Sequence, residues 1–178
     1  MDHVVYLANK FWRLAGTPKP VQTLTVLERM KFRIGSLKAE PAAIIIKPWD
    51  DKTVATMNPP AAAIQVFSNP SRIDCRYTRQ ATAEDNRYIE AFLAGYALLA
   101  MAEGQTKVSF ADLPRSGQGF EEVHRFARNL LVPSEALARD LAPDSGDQTV
   151  EAIAETFQVS LCTLSDRLKD MKSAAPLH

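Results

Sequence analysis

The chain has 178 residues, 46% of them hydrophobic, and its 21 basic and 21 acidic residues cancel. This length supports one main core, and the balanced charge excludes a global field that would draw the protein to nucleic acid or to a membrane surface. Residues 1–16 lack the uninterrupted apolar run of a signal peptide, and no segment reaches the roughly 20 apolar residues of a membrane span. We therefore expect a cytoplasmic protein that makes no contact with a membrane.

The N-terminal half is predicted to form helices followed by short strands. Apolar residues at helical spacing predict a first helix over residues 4–15 and a second one from Thr23 to Ile34. From residue 42 the pattern changes to short runs rich in β-branched residues, which predict strands at 42–48, 54–57, 61–67 and 72–78. Together these strands predict a small, largely antiparallel sheet.

A long central helix is predicted next, opened by Glu84 or Asp85. Its inward stripe has helical spacing and consists of Ile89, Phe92, Leu93, Tyr96, Ala97 and Ala100. A brief strand-like segment at 108–110 and a loop at 113–119 precede a further helix, which Pro133 ends. The apolar face of that helix consists of Phe120, Val123, Ala127, Leu130 and Leu131.

The C-terminal part is predicted to be helical throughout. The Ser134 hydroxyl can cap a short helix by accepting the free amide hydrogens of its first turn. Residues 148–172 then read as two short helices split at Gln158, with Ser160 as the cap of the second. We predict a main domain over 1–143 and a terminal helix-turn-helix-like unit over 148–172 that packs on it.

Three sequence blocks carry a family resemblance. In the central helix, residues 87–99 read R-x-x-x-A-F-L-A-G-Y-x-L-L, where a zinc peptidase helix reads R-x-x-x-A-H-E-x-G-H-x-L-L. Together with residues 121–137 and 150–171, in this order and separation, the helix resembles the ImmA/IrrE family of small zinc metallopeptidases. The resemblance covers about residues 80–172. It implies an α+β fold with a zincin-like metallopeptidase core and a C-terminal two-helix unit.

The positions that carry the family's chemistry differ in this chain. Phe92 and Tyr96 fall on the two histidine ligands, Leu93 falls on the catalytic glutamate, and Glu122 falls on the third ligand. A catalytic zinc normally takes three protein ligands and keeps a position open for water. His124 lies two residues beyond Glu122, and helical positions two apart point to different sides. The resemblance therefore implies a degenerate site with no metal, no cofactor and no catalytic residue.

Each of these positions has a structural and a functional interpretation. Phe92 and Tyr96 either fill the vacated metal cavity or line a cleft that grips a partner peptide, with Tyr96 as the better anchor. Glu122 either pairs with Arg87 or Arg125 or serves as a carboxylate in a pocket. His124 is either an ordinary helix residue or a contact residue.

Two further features are the loop after the central helix and the pair of cysteines. The loop residue Arg115 either lies in a simple connection or belongs to a flexible binding loop. Cys75 and Cys162 lack the C-x-x-C spacing of redox or metal sites, and we expect two buried free thiols.

The resemblance implies a protein partner, because relatives cut helix-turn-helix repressors of phages and mobile elements. Our leading hypothesis is a non-catalytic family member that binds such a repressor in the old substrate cleft and controls it by occupancy, as an antirepressor. The candidate contacts are Tyr96, Arg115, Glu122 and His124.

Two alternatives belong to other classes of protein. One is a DNA-binding regulator that uses residues 149–172, although the charges of that segment nearly cancel and binding to duplex DNA needs net neutralisation of phosphates. The other is a metallopeptidase with a relocated site made of Glu122, His124 and His3. No spacing in the sequence supports that site.

Overall fold

The computed structural model describes residues 3–14, 16, 19–21, 23, 43–57, 62–68, 71–102, 107–109, 118–142, 146 and 148–174. This part of the chain forms helices α1 (His3–Leu14), α2 (Asp51–Met57), α3 (Ala83–Ala102), α4 (Gln118–Leu131), α5 (Ser134–Asp140), α6 (Val150–Phe157) and α7 (Leu161–Ala174). Its strands are β1 (Ala43–Pro48), β2 (Ala62–Ser68), β3 (Ser71–Tyr77) and β4 (Lys107–Ser109). The predicted α+β class is confirmed. The helix predicted over 23–34, apart from Thr23 itself, and the loop residue Arg115 lie outside the described residues.

The four strands form one mixed sheet in the order β1-β3-β2-β4. β2 pairs with β3 and with β4 in antiparallel fashion, as predicted for most of the sheet, whereas β1 runs parallel to β3. Cys75 of β3 lies between Ile46 of β1 and Ile64 of β2 in the register, and all three side chains are buried. Because side chains alternate along a strand, this row marks the face of the sheet that packs against the helices.

The segment Val54–Met57, which was predicted to be a strand, forms the end of helix α2 instead. The Asp50 carboxylate caps this helix by accepting hydrogen bonds from the Thr53 backbone N–H at 2.8 Å and from the Thr53 hydroxyl at 2.7 Å. No residue of α2 is buried. The prediction was wrong because a local cap, rather than the β-branched composition, sets the backbone of an exposed segment.

Helix α3 is the central element of the core. It packs against β1 and β3 on one side and against α4 on another, and all of residues 91–97 are buried. The predicted inward positions Phe92, Leu93, Tyr96 and Ala97 are confirmed as core residues. The helix begins at Ala83, because Thr82 acts as the cap and its hydroxyl accepts from the Asp85 N–H at 3.0 Å.

Helix α4 approaches α3 closely at Gly95. A methyl group added at Gly95 would lie 2.6 Å from Cδ1 of Phe126, well inside van der Waals contact. Phe126 is itself buried. The missing side chain at Gly95 therefore sets the distance between the two helices that form the walls of the site described below.

A buried arginine connects α7 to the junction of α4 and α5. Arg167 is only 2% exposed, and it donates from Nε to the Val132 carbonyl at 3.0 Å and from Nη2 to the Ser134 hydroxyl at 2.5 Å. The predicted cap by Ser134 is wrong: Pro133 occupies the cap position of α5, and the helix has no side-chain cap. The Ser134 oxygen is used by Arg167 because a buried guanidinium requires acceptors.

The turn between α6 and α7 matches its prediction. Gln158 adopts the left-handed conformation, with φ 51° and ψ 50°, and the following Val159 N–H bonds back to the Ala154 carbonyl at 3.0 Å. These are features of a Schellman helix end. Ser160 caps α7 by accepting from the Thr163 N–H at 3.2 Å, which confirms the predicted second cap.

Candidate functional site

A groove with two adjoining cavities lies between the first half of α3, helix α4 and the start of α7. The cavities have volumes of about 380 Å³ and about 450 Å³. They share the lining residues Asp85, Tyr88, Phe120 and His124. The smaller cavity, called here the aromatic end, adds Gln80, Ile89 and Phe92. The larger one, the polar end, adds Glu121, Arg128, Ser160, Cys162, Thr163 and Asp166. The whole groove is called the cleft.

Helical spacing explains why these side chains meet. The α3 residues of the cleft lie at positions i, i+3, i+4 and i+7, which share one helical face: Asp85, Tyr88, Ile89 and Phe92. On α4, the cleft residues Phe120, His124 and Arg128 recur every four positions. Since α3 packs on α4, the two stripes face each other across the cleft.

His124 lies at the centre of a cluster of aromatic rings. Its ring centroid is 4.3 Å from that of Phe120 in an edge-on arrangement and 4.7 Å from that of Phe92. Tyr88 stacks on it at 5.9 Å with an interplanar angle of 26°. The aromatic end of the cleft therefore has rigid walls, which lose little side-chain entropy when a ligand binds.

A hydrogen bond joins Tyr88 to His124, with the hydroxyl oxygen 2.7 Å from Nδ1. Burial raises the pKa of Tyr88 to about 12, even though the charge of Arg128 and a hydrogen bond from it act in the opposite direction. Either the Tyr88 hydroxyl or the His124 ring N–H can be the donor in this bond, depending on the tautomer of the imidazole. Burial, followed by the charge of Arg128, lowers the pKa of His124. The lowered pKa favours the uncharged form of the His124 ring.

The polar end contains an ion-pair network centred on Arg128. This buried guanidinium contacts Glu121 at 2.6 Å and Asp170 at 2.7 Å. Burial opposes its charge, but the hydrogen bonds to Asp170 and Glu121 raise the pKa of Arg128, so its charge is fixed. Asp166 pairs with the exposed Lys169 at 2.8 Å.

The structure separates the residues predicted from the peptidase motif. Phe92 and Tyr96 are 3% and 9% exposed and Leu93 is fully buried. The part of α3 that carries these motif positions therefore belongs to the hydrophobic core. Phe92 borders the aromatic end of the cleft, whereas neither cavity is lined by Tyr96 or by Glu122, which is half-buried on α4. Of the predicted contacts, His124 is in the cleft and Arg115 lies outside the described residues.

A zinc ion does not fit the residues at the motif positions. Phe92 and Tyr96 place a phenyl and a phenol group where two imidazoles would be needed, and Glu122 offers a single carboxylate. Catalytic zinc normally takes three protein ligands. Among the residues that the structure describes, no group of three or more His, Cys, Asp or Glu side chains could hold a metal ion. The His3 side chain, invoked for a relocated site, lies outside that part.

The two cysteines differ in their surroundings. Cys75 is buried in the sheet, and burial, followed by the charge of Asp74, raises the pKa of its thiol to about 12. Cys162 is an exposed free thiol at the polar end of the cleft. The expectation that both thiols are buried is wrong for Cys162. It occupies an outward position in the first turn of α7, next to the exposed Leu161.

Most of the charged groups on α7 are engaged within the protein. Arg167 points into the core, Asp170 binds Arg128, and Asp166 pairs with Lys169. Contacts to DNA phosphates would need free cations on this helix. Of the α7 cations, Arg167 is buried and Lys169 is paired with Asp166, so neither is available for a phosphate.

Several cleft residues have no predicted role in binding. Tyr88 lies four residues before Phe92, so extending the aromatic spacing of the motif by one turn would have identified it. Phe120 was assigned to a core stripe but is half-buried at the cleft. The acidic residues Asp85 and Asp166 have no motif that marks them.

Comparisons with known proteins assign no family to this chain. No protein-family model matches the sequence, and no match is found among curated proteins. Within the described residues, no helix combines the length and the apolar character needed to cross a bilayer. The cleft residues are therefore the basis on which a function can be proposed.

Proposed function

We propose that this protein is a non-catalytic relative of the ImmA/IrrE peptidases that binds a partner protein in the cleft and controls it by occupancy. The partner that the resemblance implies is a helix-turn-helix repressor of a phage or mobile element. The observation that carries the proposal is the aromatic-walled cleft beside the degenerate motif helix. Phe92, which stands at a lost ligand position, forms part of its wall.

The dimensions and lining of the cleft suit side chains of a protein. Its two cavities, of about 380 and 450 Å³, fall in the range of ligand pockets, which is roughly 300–1,000 Å³. Burying one large apolar side chain in such a site contributes about 1.5–3 kcal/mol. Aromatic anchors in desolvated pockets account for most of the binding energy of typical interfaces.

Loss of the ligands removes cleavage without removing the cleft. The motif positions carry Phe92, Leu93 and Tyr96, which pack in the core and keep α3 in place. A bound partner segment would thus be held and not cut. Control by occupancy needs only a complex that is stable at cellular concentrations, which a micromolar dissociation constant, about −8 kcal/mol, can provide.

Selective blocking of the cleft tests this function. Cys162 is exposed in the cleft and Cys75 is buried with a raised thiol pKa, so a bulky maleimide reagent should modify Cys162 alone. Unmodified and modified protein are each immobilised and exposed to extract from the source organism. Bound proteins are identified by mass spectrometry and purified for titration.

The expected result is a partner that binds the unmodified protein and is lost on modification. The matched control is the Cys162→Ser variant treated with the same reagent, which should retain the partner. The circular dichroism spectrum of the modified protein checks that the fold is intact. A partner that binds modified and unmodified protein equally would place the interface elsewhere and reject the cleft as the functional site.

A further inference from the structure

We infer that the partner segment presents a lysine or arginine beside a large apolar side chain, with the apolar group in the aromatic end and the cation in the polar end. This inference rests on the proposed function, since it concerns what the same cleft selects. It is carried by the uneven distribution of charge along the cleft.

The polar end has an excess of negative charge. Three carboxylates, those of Asp85, Glu121 and Asp166, line it against the single guanidinium of Arg128. The lining residues Arg128 and Asp166 form ion pairs with Asp170 and Lys169, and the charges of these two partners cancel. A lining with this excess attracts a cationic side chain and disfavours an anionic one.

Asp85 is the carboxylate best placed to receive that cation. It is exposed, and it lines both cavities, so it lies where they join. Within the described part of the chain its carboxylate has no ion-pair partner, whereas Glu121 is held by Arg128 and Asp166 by Lys169. Adjacent side chains of one peptide could therefore reach the aromatic wall and Asp85 together.

Helix dipoles reduce this negative charge but do not reverse it. Asp85, Glu121 and Cys162 lie in the first turns of α3, α4 and α7. Each helix end contributes roughly half a positive charge, which is screened and falls off within one turn. Three such helix ends do not outweigh the net negative charge of the polar end, where three carboxylates face one guanidinium. The lowered pKa of His124 favours its uncharged form, so its ring does not offset this negative charge.

The aromatic end supplies the second requirement. Tyr88, Phe92 and Phe120 form its walls with His124, and Asp85 borders it. An aliphatic or aromatic side chain is favoured there by burial. The aliphatic part of an adjacent lysine or arginine side chain would pack on the residues that line both cavities. Its charged group would reach the carboxylates.

Selection from a random library of twelve-residue peptides tests the inference. The library is displayed on phage and selected on the full-length protein and, in parallel, on protein modified at Cys162. Peptides enriched only on unmodified protein define the preference of the cleft. We expect these peptides to carry Lys or Arg within three positions of Phe, Trp, Leu or Met.

Other outcomes separate the two proposals. Cleft-dependent peptides that are purely apolar or rich in Asp and Glu would overturn the cationic preference while leaving a binding cleft in place. No cleft-dependent enrichment would reject both the preference and the proposed binding function.

A synthetic copy of the most enriched peptide gives the quantitative check. Asp85→Asn should weaken its binding about two- to fivefold, the range for a partly exposed ion pair, and raising the salt from 0.05 to 0.3 M should reduce the difference. The matched control is Asp51→Asn, an exposed acid on α2 outside the cleft, which should bind like the wild type. Equal affinities of wild type and Asp85→Asn would reject Asp85 as the receptor of the cation.

Discussion

The Tyr88 hydroxyl lies 2.7 Å from Nδ1 of His124 and thereby joins α3 to α4 inside the cleft. The two residues are 36 positions apart in the sequence. Their hydrogen bond orients the His124 ring among Phe92 and Phe120. The cleft is thus pre-organised, which reduces the entropy lost on binding.

Burial of this neutral histidine predicts a dependence of stability on pH. The folded pKa of His124 is lower than its ordinary value of 6.5, so below about pH 6.5 the unfolded chain binds a proton that the folded chain does not. The free energy of unfolding should fall as the pH drops through 6.5 and stop falling below the folded pKa. Urea denaturation between pH 7.5 and 5.0 measures this.

The variant His124→Gln isolates the contribution of the histidine. Other groups, including Glu90, whose pKa burial raises, titrate in wild type and variant alike. The difference in unfolding free energy between the two proteins should therefore shift in favour of the variant as the pH falls. A difference that stays constant with pH would mean that His124 titrates in the folded state as it does in water.

The close approach of α3 and α4 gives a second prediction. In Gly95→Ala the new methyl group overlaps the buried Phe126 ring, and such an overlap costs about 1–3 kcal/mol of unfolding free energy. Ala gains about 1 kcal/mol over Gly inside a helix, so the net loss should be up to about 2 kcal/mol. Gly119→Ala is the control, since nothing lies within 4 Å of a methyl group there. A stabilised Gly95→Ala variant would contradict the packing described.

The buried arginine gives a third prediction. Arg167→Ala should cost about 2–4 kcal/mol, since it leaves the buried Val132 carbonyl without its donor and opens a cavity. Lys169→Ala, on the exposed side of the same helix, should leave the melting temperature nearly unchanged. If Arg167→Ala instead melts like the wild type, the guanidinium does not hold α7 on the rest of the protein.

The resemblance to a zinc peptidase is tested by restoring its ligands. Phe92→His with Tyr96→His should melt below the wild type in chelator, because truncating a buried ring costs about 3–5 kcal/mol and His replaces only part of its volume. If the alignment is right, zinc should raise the melting temperature of this variant through a site completed by Glu122.

Two controls accompany the zinc titration. The wild type should not respond to zinc, because Phe92 and Tyr96 offer no imidazole at the motif positions. Adding Glu122→Gln to the double variant should remove most of the response. A double variant that is indifferent to zinc would show that the motif positions do not correspond to those of the peptidases.

The core of the fold was predictable and the cleft was not. The buried middle of α3 follows from its apolar sequence, since burial of Phe92, Leu93 and Tyr96 removes a large apolar surface from water. The pairing of Tyr88 with His124 depends on how two distant helices pack. No local spacing encodes that relationship.

The errors in the prediction share a physical origin. Val54–Met57 has the composition of a strand, but one carboxylate, that of Asp50, decides its conformation. Ser134 is of a residue type that caps helices, but Pro133 occupies the cap position and the Ser134 hydroxyl accepts from the buried Arg167. In both places a single polar side chain outweighs the average preference of the segment.

The Arg87 side chain connects two segments that are distant in the sequence. One guanidinium donates to the Val21 carbonyl, 66 residues earlier, and to the carbonyls of Phe157 and Gln158, 70 and 71 residues later. When either segment detaches, the side chain gains freedom and its bonds to the other segment become harder to maintain. Fluctuations at these two distant places are thereby coupled, and amide hydrogens near Val21 and near the end of α6 should exchange as one cooperative unit.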